Sequence, residues 1–213
     1  MFEQKFCPND SVLASSSAMV DSMYLTNDCL AGTRIQGVTL APRRESWRPP
    51  EEGWVKVNVD GAFSAAAGEH ACGGLLRDAA GQFVKGFVHH LDGGDELSAE
   101  IWACLLGFKM AWAMGFRKVW LETDSLECLD LILHEPSPQH RDFGIVREVR
   151  VFMAMEWETK VTYVQRSCNR AADYLAKRGL VPGQGFYEVY SPSEDLVELL
   201  GQDCNGAFGS HRY

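Results

Sequence analysis

Val55, Val57 and Val59 alternate with Lys56, Asn58 and Asp60, the period-two pattern of a strand with one apolar face. Gly61 is expected to end its regular part. His70–Arg77 reads as a second strand, Asp78–Gly81 as a turn and Gln82–Leu91 as a third strand, so short connections make an antiparallel meander. After the break at Asp92-Gly93-Gly94 the period changes. Leu97, Ile101, Leu105, Phe108 and Trp112 recur every three or four residues, which predicts one long helix over Asp95–Met114, stopped by Gly115. Lys118–Thr123 reads as a buried strand, Ser125–Leu133 as a helix, and Pro136 and Pro138 mark a loop. Phe143–Met155 reads as a helix, Trp157–Gln165 as a strand and Asn169–Arg178 as a helix closed by Gly179.

Strands joined through helices run parallel. The predicted class is therefore α/β: a five-stranded mixed sheet, with the first three strands antiparallel, the fourth and fifth parallel, and helices on both faces. Residues 1–50 lack sustained periodicity and read as a largely disordered leader and linker. Residues 51–180 form the expected domain, and 181–213 a tail with a short helix at Glu194–Leu200.

The chain has 213 residues, 46% of them hydrophobic, which suits one globular domain with flanking segments. No apolar run reaches the roughly 20 residues of a membrane helix, and no signal or transit peptide is expected. The seven cysteines are odd in number and include no Cys-x-x-Cys pair, so a disulfide framework or zinc site is not expected, and a reducing intracellular compartment, nucleus or cytoplasm, is. A formal charge of −9 opposes general polyanion binding, unless bound metals neutralise part of it.

Four acids fall where such a fold converges, at strand ends and helix starts: Asp60, Glu100, Asp124 and Asp173. Hard carboxylate oxygens suit Mg²⁺, and a pair of divalent ions roughly 4 Å apart can activate water and stabilise a leaving oxyanion in phosphodiester hydrolysis. Each acid also has a plainer explanation. Asp60-Gly61 is a turn former, Glu100 an exposed helix residue, Asp124-Ser125-Leu126-Glu127 a capping box, and Asp173 a first-turn carboxylate facing the helix dipole. The aromatic residues Phe108, Trp112, Trp120 and Trp157 read as core.

Joint order and surroundings distinguish these acids. Trp47-Arg48-Pro49-Pro50 with Gly53-Trp54-Val55-Lys56-Val57-Asn58-Val59-Asp60-Gly61-Ala62, then Cys72-Gly73-Gly74-Leu75-Leu76-Arg77-Asp78, Ser98-Ala99-Glu100, Glu122-Thr123-Asp124-Ser125 and Asn169-Arg170-Ala171-Ala172-Asp173 together resemble the ribonuclease H family. The match is to its plant reverse-transcriptase-like branch, derived from non-LTR retrotransposons, and runs from about Trp47 to Gly179. The resemblance implies a ribonuclease H-like fold and an endonuclease cutting the RNA strand of RNA–DNA hybrids, leaving a 3′-hydroxyl and a 5′-phosphate; a monomer is expected. It implies two Mg²⁺ ions, with Mn²⁺ able to substitute. Asp60 would bridge both, Glu100 and Asp124 would hold one, and Asp173 the other. Gly73 and Gly74 would approach the RNA strand, and Asn169 and Arg166 would contact substrate; a bulged strand is the other explanation of the glycine pair.

Two departures stand out. Many relatives carry a flexible His before the last helix, whereas Gln165-Arg166-Ser167-Cys168 has none, and a basic helical protrusion is missing. Phosphate contacts are expected from Arg147, Arg150, Arg166, Arg170, Lys177 and Arg178. The rival readings are a catalytically inactive nucleic-acid-binding or protein-interaction domain, and a 3′–5′ exonuclease. The second usually carries Asp-x-Glu, where this chain has Asp60-Gly61-Ala62.

Overall fold

A computed structural model describes residues 46–208, with side chains through Asp203. The elements are β1 (Val55–Ser64), β2 (Glu69–Arg77), β3 (Phe83–Leu91), α1 (Glu96–Ala113), β4 (Lys118–Thr123), α2 (Leu126–Leu133), α3 (Phe143–Met153), β5 (Glu158–Tyr163), α4 (Arg170–Arg178), β6 (Phe186–Val189) and α5 (Glu194–Phe208). A single 3₁₀ turn, Arg166–Cys168, joins β5 to α4.

One mixed sheet runs in the order β5-β4-β1-β2-β3-β6. β1 pairs antiparallel with β2 and parallel with β4, and β4 pairs parallel with β5, as the connections require. On one face Val55, Val57 and Val59 pack against α1 with no exposed surface, in a core that also takes in buried residues of α2 and α3. Gly107 brings α1 down onto this face: a Cβ there would stand 2.9 Å from Val57 Cγ1. On the other face Leu75 and Val88 pack under Ala171, Ala172 and Leu175 of α4 and Leu196 of α5. Each fully buried Val, Leu or Ile contributes about 1.5–3 kcal/mol.

The ends of α1 are as its sequence predicts. Asp95 caps it by accepting from Ser98 N at 2.9 Å. At the other end Gly115 takes φ +84°, and Phe116 N donates back to Ala111 O at 3.1 Å. Three of the four expected core aromatics pack together: Phe108 is buried, with its ring centroid 5.6 Å from that of Trp157, which meets Trp112 edge-on at 5.1 Å. Trp120 is not among them: it is half-buried on the polar face, with Lys56 Nζ 4.0 Å from its ring centroid.

The structure departs from the sequence pattern in four places. The sheet has six strands, because Phe186–Val189 adds to β3 as an antiparallel edge. Its four residues are all half-buried, so no alternation marks them. β1 continues past Gly61 to Ser64, still paired with β2. The tail helix extends to Phe208. Residues 1–45 of the expected leader lie outside the described residues, but Trp47 belongs to the packed domain: it is 2% exposed and donates from Nε1 to Asn58 Oδ1 at 2.9 Å.

Candidate active site

The polar face of β1 explains how the chain builds its site. Lys56, Asn58 and Asp60 share that face and are all buried. Lys56 and Asn58 are satisfied by Glu122 of β4, at 2.8 and 2.9 Å. For Asp60 Oδ2 there is no hydrogen-bond partner among the described residues. Such a buried orphan oxygen is costly unless something outside the chain completes it.

Three elements meet at Asp60. Gly61 lets the amino end of α1 lie directly on β1, since a Cβ at residue 61 would stand 2.7 Å from Glu100 N. This approach brings the Glu100 carboxylate to Asp60, and Gly61 N–H donates to it. Asp124 follows β4 directly. The cap of α2 is Ser125, whose Oγ accepts from Cys128 N at 3.2 Å, so the capping role weighed for Asp124 falls to its neighbour. Thr123 joins the two acids' supports: its hydroxyl donates to Glu100 Oε2 at 3.3 Å and accepts from Ser125 N at 3.1 Å.

Asp60, Glu100 and Asp124 each place a carboxylate oxygen within 4.8 Å of the others. Burial, then the charges of Glu100 and Asp124, push the Asp60 carboxyl far above the usual carboxylate range. Burial, then Asp124, raises Glu100 likewise. Like charges this close require a proton or a cation. An all-oxygen donor set with one buried oxygen unpartnered fits a hard divalent ion.

Asp173 stands at the edge of this group and is not one of the three mutually close acids. Its carboxylate is held by Lys177 Nζ at 2.7 Å and by Arg166 Nη2 at 3.4 Å. The Lys177 contact follows from Asp–Lys spacing of four on a helix, a signal already visible in the chain.

The expected substrate contacts divide. Arg166 is the one that faces solvent, with 71% of its side chain exposed. Asn169 is 1% exposed; its Nδ2 donates to Val59 O at 2.9 Å and to Asp124 Oδ1 at 3.2 Å, so it positions an acid. Gly73 and Gly74 are buried within β2, and the room left by their missing side chains is taken by protein. A Cβ at Gly73 would stand 2.4 Å from Ala176 N, and one at Gly74 2.7 Å from Asn58 O and from Phe87. Gly73 seats α4 on the sheet, Gly74 leaves room for the Phe87 ring, and the strand pairing is regular at both positions. The basic residues also separate. Arg150 donates to the Ile132 and Leu133 carbonyls at 2.6 and 3.0 Å, closing α2 from α3. Arg170, Lys177 and Arg178 lie on α4 beside Asp173.

The reverse transcriptase-like family model matches residues 58–179, a stretch containing all four acids. An Arabidopsis thaliana protein named "Putative ribonuclease H protein" is 32% identical over 180 residues, which cover 83% of this chain; the chain spans only 29% of that relative's length. Among solved structures, RNase H1 of Halobacterium salinarum matches with a TM-score of 0.55 at 23% identity, over 60% of this chain and 97% of its own. LC11-RNase H1, solved in complex with an RNA/DNA hybrid, matches with a TM-score of 0.52 at 14% identity, over 59% and 96%. These likenesses establish a shared fold, and with the family match they lead to one conclusion: the chain belongs to the reverse transcriptase-like family and carries a ribonuclease H-like domain.

Proposed function

We propose that this chain is a metal-dependent endonuclease that hydrolyses the RNA strand of RNA–DNA hybrids. The observation that carries the reading is the meeting of Asp60, Glu100 and Asp124 within 4.8 Å around a buried, unpartnered Asp60 oxygen. Those three residues would hold one divalent ion, and Asp173, with Asp60 shared, a second; Mg²⁺ is the natural ion for such donors and Mn²⁺ a substitute. Bound there, the ions supply polarisation of the phosphodiester and neutralisation of the charge that develops on its oxygens.

The chain's own groups do the rest. Asn169 and Thr123 hold Asp124 and Glu100 in place, which keeps the donor set preorganised. Water adds to phosphorus and the P–O3′ bond breaks, leaving a 3′-hydroxyl and a 5′-phosphate. RNA is distinguished from DNA by its 2′-hydroxyls. The hybrid bound by a structural relative supports this substrate class.

The test is incubation of purified protein with an end-labelled RNA–DNA hybrid in Mg²⁺ or Mn²⁺. Internal cuts in the RNA strand, absent in EDTA and with Asp60→Asn, are expected. A folded wild type that cuts no hybrid in either ion, or an Asp60→Asn variant that cuts as well as wild type, would overturn the reading.

A further inference from the structure

We propose that Arg166 is the resident counter-cation of the carboxylate group in the free protein and passes from it to a backbone phosphate when nucleic acid arrives. The proposal rests on the reading above that the site takes a phosphodiester, and it adds how phosphate and metal are coupled there.

The placement of Arg166 combines a fixed base with an exposed head. Its 3₁₀ turn is tied by Cys168 N to Gln165 O at 2.7 Å and by Asn169 N to Arg166 O at 3.1 Å. Cys168 and Asn169 are each 1% exposed, and Asn169 bonds directly to Asp124. The backbone of Arg166 is thus anchored through one residue to the metal-site acids. Its guanidinium nevertheless has most of its surface in solvent.

Its hydrogen bond to Asp173 holds that guanidinium weakly. Nη2 reaches Asp173 Oδ1 at 3.4 Å, beyond the usual range of an N–H···O bond. Asp173 keeps a closer partner, Lys177 at 2.7 Å, when Arg166 leaves. The charge of Arg166 still belongs to the whole group. Burial works against it, but Asp124, Asp60 and Asp173 together outweigh that and strengthen its hold on its proton. A planar fork of N–H donors, loosely engaged and facing solvent beside the acids, matches two oxygens of a phosphate.

One charge therefore has two opposite effects. In the free protein it repels a divalent ion from Asp60, Glu100 and Asp124. Towards a phosphate it is attractive, and once a phosphate engages it the repulsion falls. Nucleic acid and metal then bind with positive coupling, each tightening the other.

Two equilibrium measurements on the full chain test this, with wild type, Arg166→Ala and Arg166→Lys. The first is hybrid binding by fluorescence anisotropy in EDTA at low salt. The second is Mn²⁺ binding by electron paramagnetic resonance without nucleic acid. Arg166→Ala is expected to weaken hybrid binding about 5- to 10-fold, to lower the salt slope by about one, and to tighten Mn²⁺ several-fold. Arg166→Lys is expected to keep the wild-type Mn²⁺ affinity and recover only part of the hybrid affinity, because it lacks the fork. Unchanged hybrid affinity and salt slope in Arg166→Ala overturn the proposal, as does a wild type that binds no hybrid in EDTA. Weakened Mn²⁺ binding in Arg166→Ala also overturns it, because that is the signature of a merely structural residue. The two readings fail separately. A wild type that binds hybrid through Arg166 yet cuts nothing refutes the endonuclease alone. A wild type that cuts while Arg166→Ala binds hybrid as tightly refutes only the role of Arg166.

Discussion

Gly61 lies against Glu100 so closely that a β-carbon at residue 61 would stand 2.7 Å from the Glu100 amide nitrogen and 2.9 Å from the Ala99 carbonyl carbon. Both are backbone atoms, so neither can rotate away. Gly61→Ala must push the amino end of α1 off β1, and Glu100 moves with it. The variant is expected to lose about 1–3 kcal/mol to overpacking, read by urea denaturation. It should also lose at least about 10-fold in Mn²⁺ affinity, read by calorimetry, because the donor oxygens separate. A variant with wild-type stability and wild-type Mn²⁺ binding would show that the contact does not set the site.

Asn169 is the next support. Removing its amide frees both the Val59 carbonyl and the Asp124 carboxylate. Asn169→Ala is expected to cost about 1–3 kcal/mol, as a buried acceptor loses its donor. Cleavage and metal affinity should fall about 10- to 100-fold, the usual effect of removing a residue that orients a ligand. Asn169→Asp should be worse than Ala on both counts, since it adds a further negative group against Asp124. Thermal melts and hybrid cleavage by the two variants, in parallel, check the order.

These contacts mark where the sequence was legible. The order of elements through α4 and the extent of α1 could be read because local patterns carry them: Val55, Val57 and Val59 announce a face, and Gly115 a helix stop. The four acids, each with a plainer explanation alone, stand out only by their joint order and surroundings. The roles of Gly73, Gly74 and Asn169 could not be read. Gly73 meets α4, about a hundred positions further along the chain, and Gly74 meets Asn58 and Phe87 on the neighbouring strands, so what fills the space beside each depends on tertiary packing. The packing of the tail escapes local patterns for the same reason, since Asp203 meets Arg77 across 126 positions. Trp47 lies only eleven positions from Asn58, but in a segment with no periodicity of its own.

The crowding of Asp60 and Glu100 gives stability a definite pH dependence. Burial and neighbouring charge raise both carboxyls above their unfolded values. The folded metal-free protein therefore binds more protons than the unfolded chain. This stabilisation is complete below about pH 4, where unfolded carboxylates are protonated, and is lost as pH rises through the higher folded values. In EDTA the melting temperature is expected to fall between pH 5 and pH 8. Asp60→Asn should flatten that slope and stabilise the metal-free protein at pH 8 by about 1–3 kcal/mol, the scale of relieving an unsatisfied buried oxygen. Saturating Mg²⁺ should raise the wild-type melting temperature at pH 8 and leave Asp60→Asn nearly unmoved. An EDTA melting curve independent of pH, or an Asp60→Asn variant less stable than wild type at pH 8, would contradict the account.

At the opposite end of the same sheet face, Arg77 ties both flanking segments to the domain. Its Nη1 donates to Asp203 Oδ2 of α5 at 2.7 Å, its Nη2 to Asn58 Oδ1 at 2.7 Å, and its guanidinium carbon lies 3.4 Å from the centroid of the Trp47 ring. Burial raises the Asp203 carboxyl even though Arg77, 2.7 Å away, pulls it the other way, so the cost of desolvation outweighs the attraction of the pair. Arg77→Ala leaves Asp203 without this partner and opens a gap under Trp47. It is expected to lose about 3–5 kcal/mol, the scale of breaking a buried ion pair from one side. Arg77→Met, which keeps length and apolar packing, should lose less if stacking under Trp47 matters. Because the carboxylates of the site are carried by other residues, Mn²⁺ affinity measured well below the melting temperature should stay within about twofold of wild type, as for distant sites that share no partner. Urea denaturation with Trp fluorescence, set beside Mn²⁺ titration, separates the two effects. Loss of Mn²⁺ binding in a folded Arg77→Met would show instead that the network extends through Asn58 to the metal site.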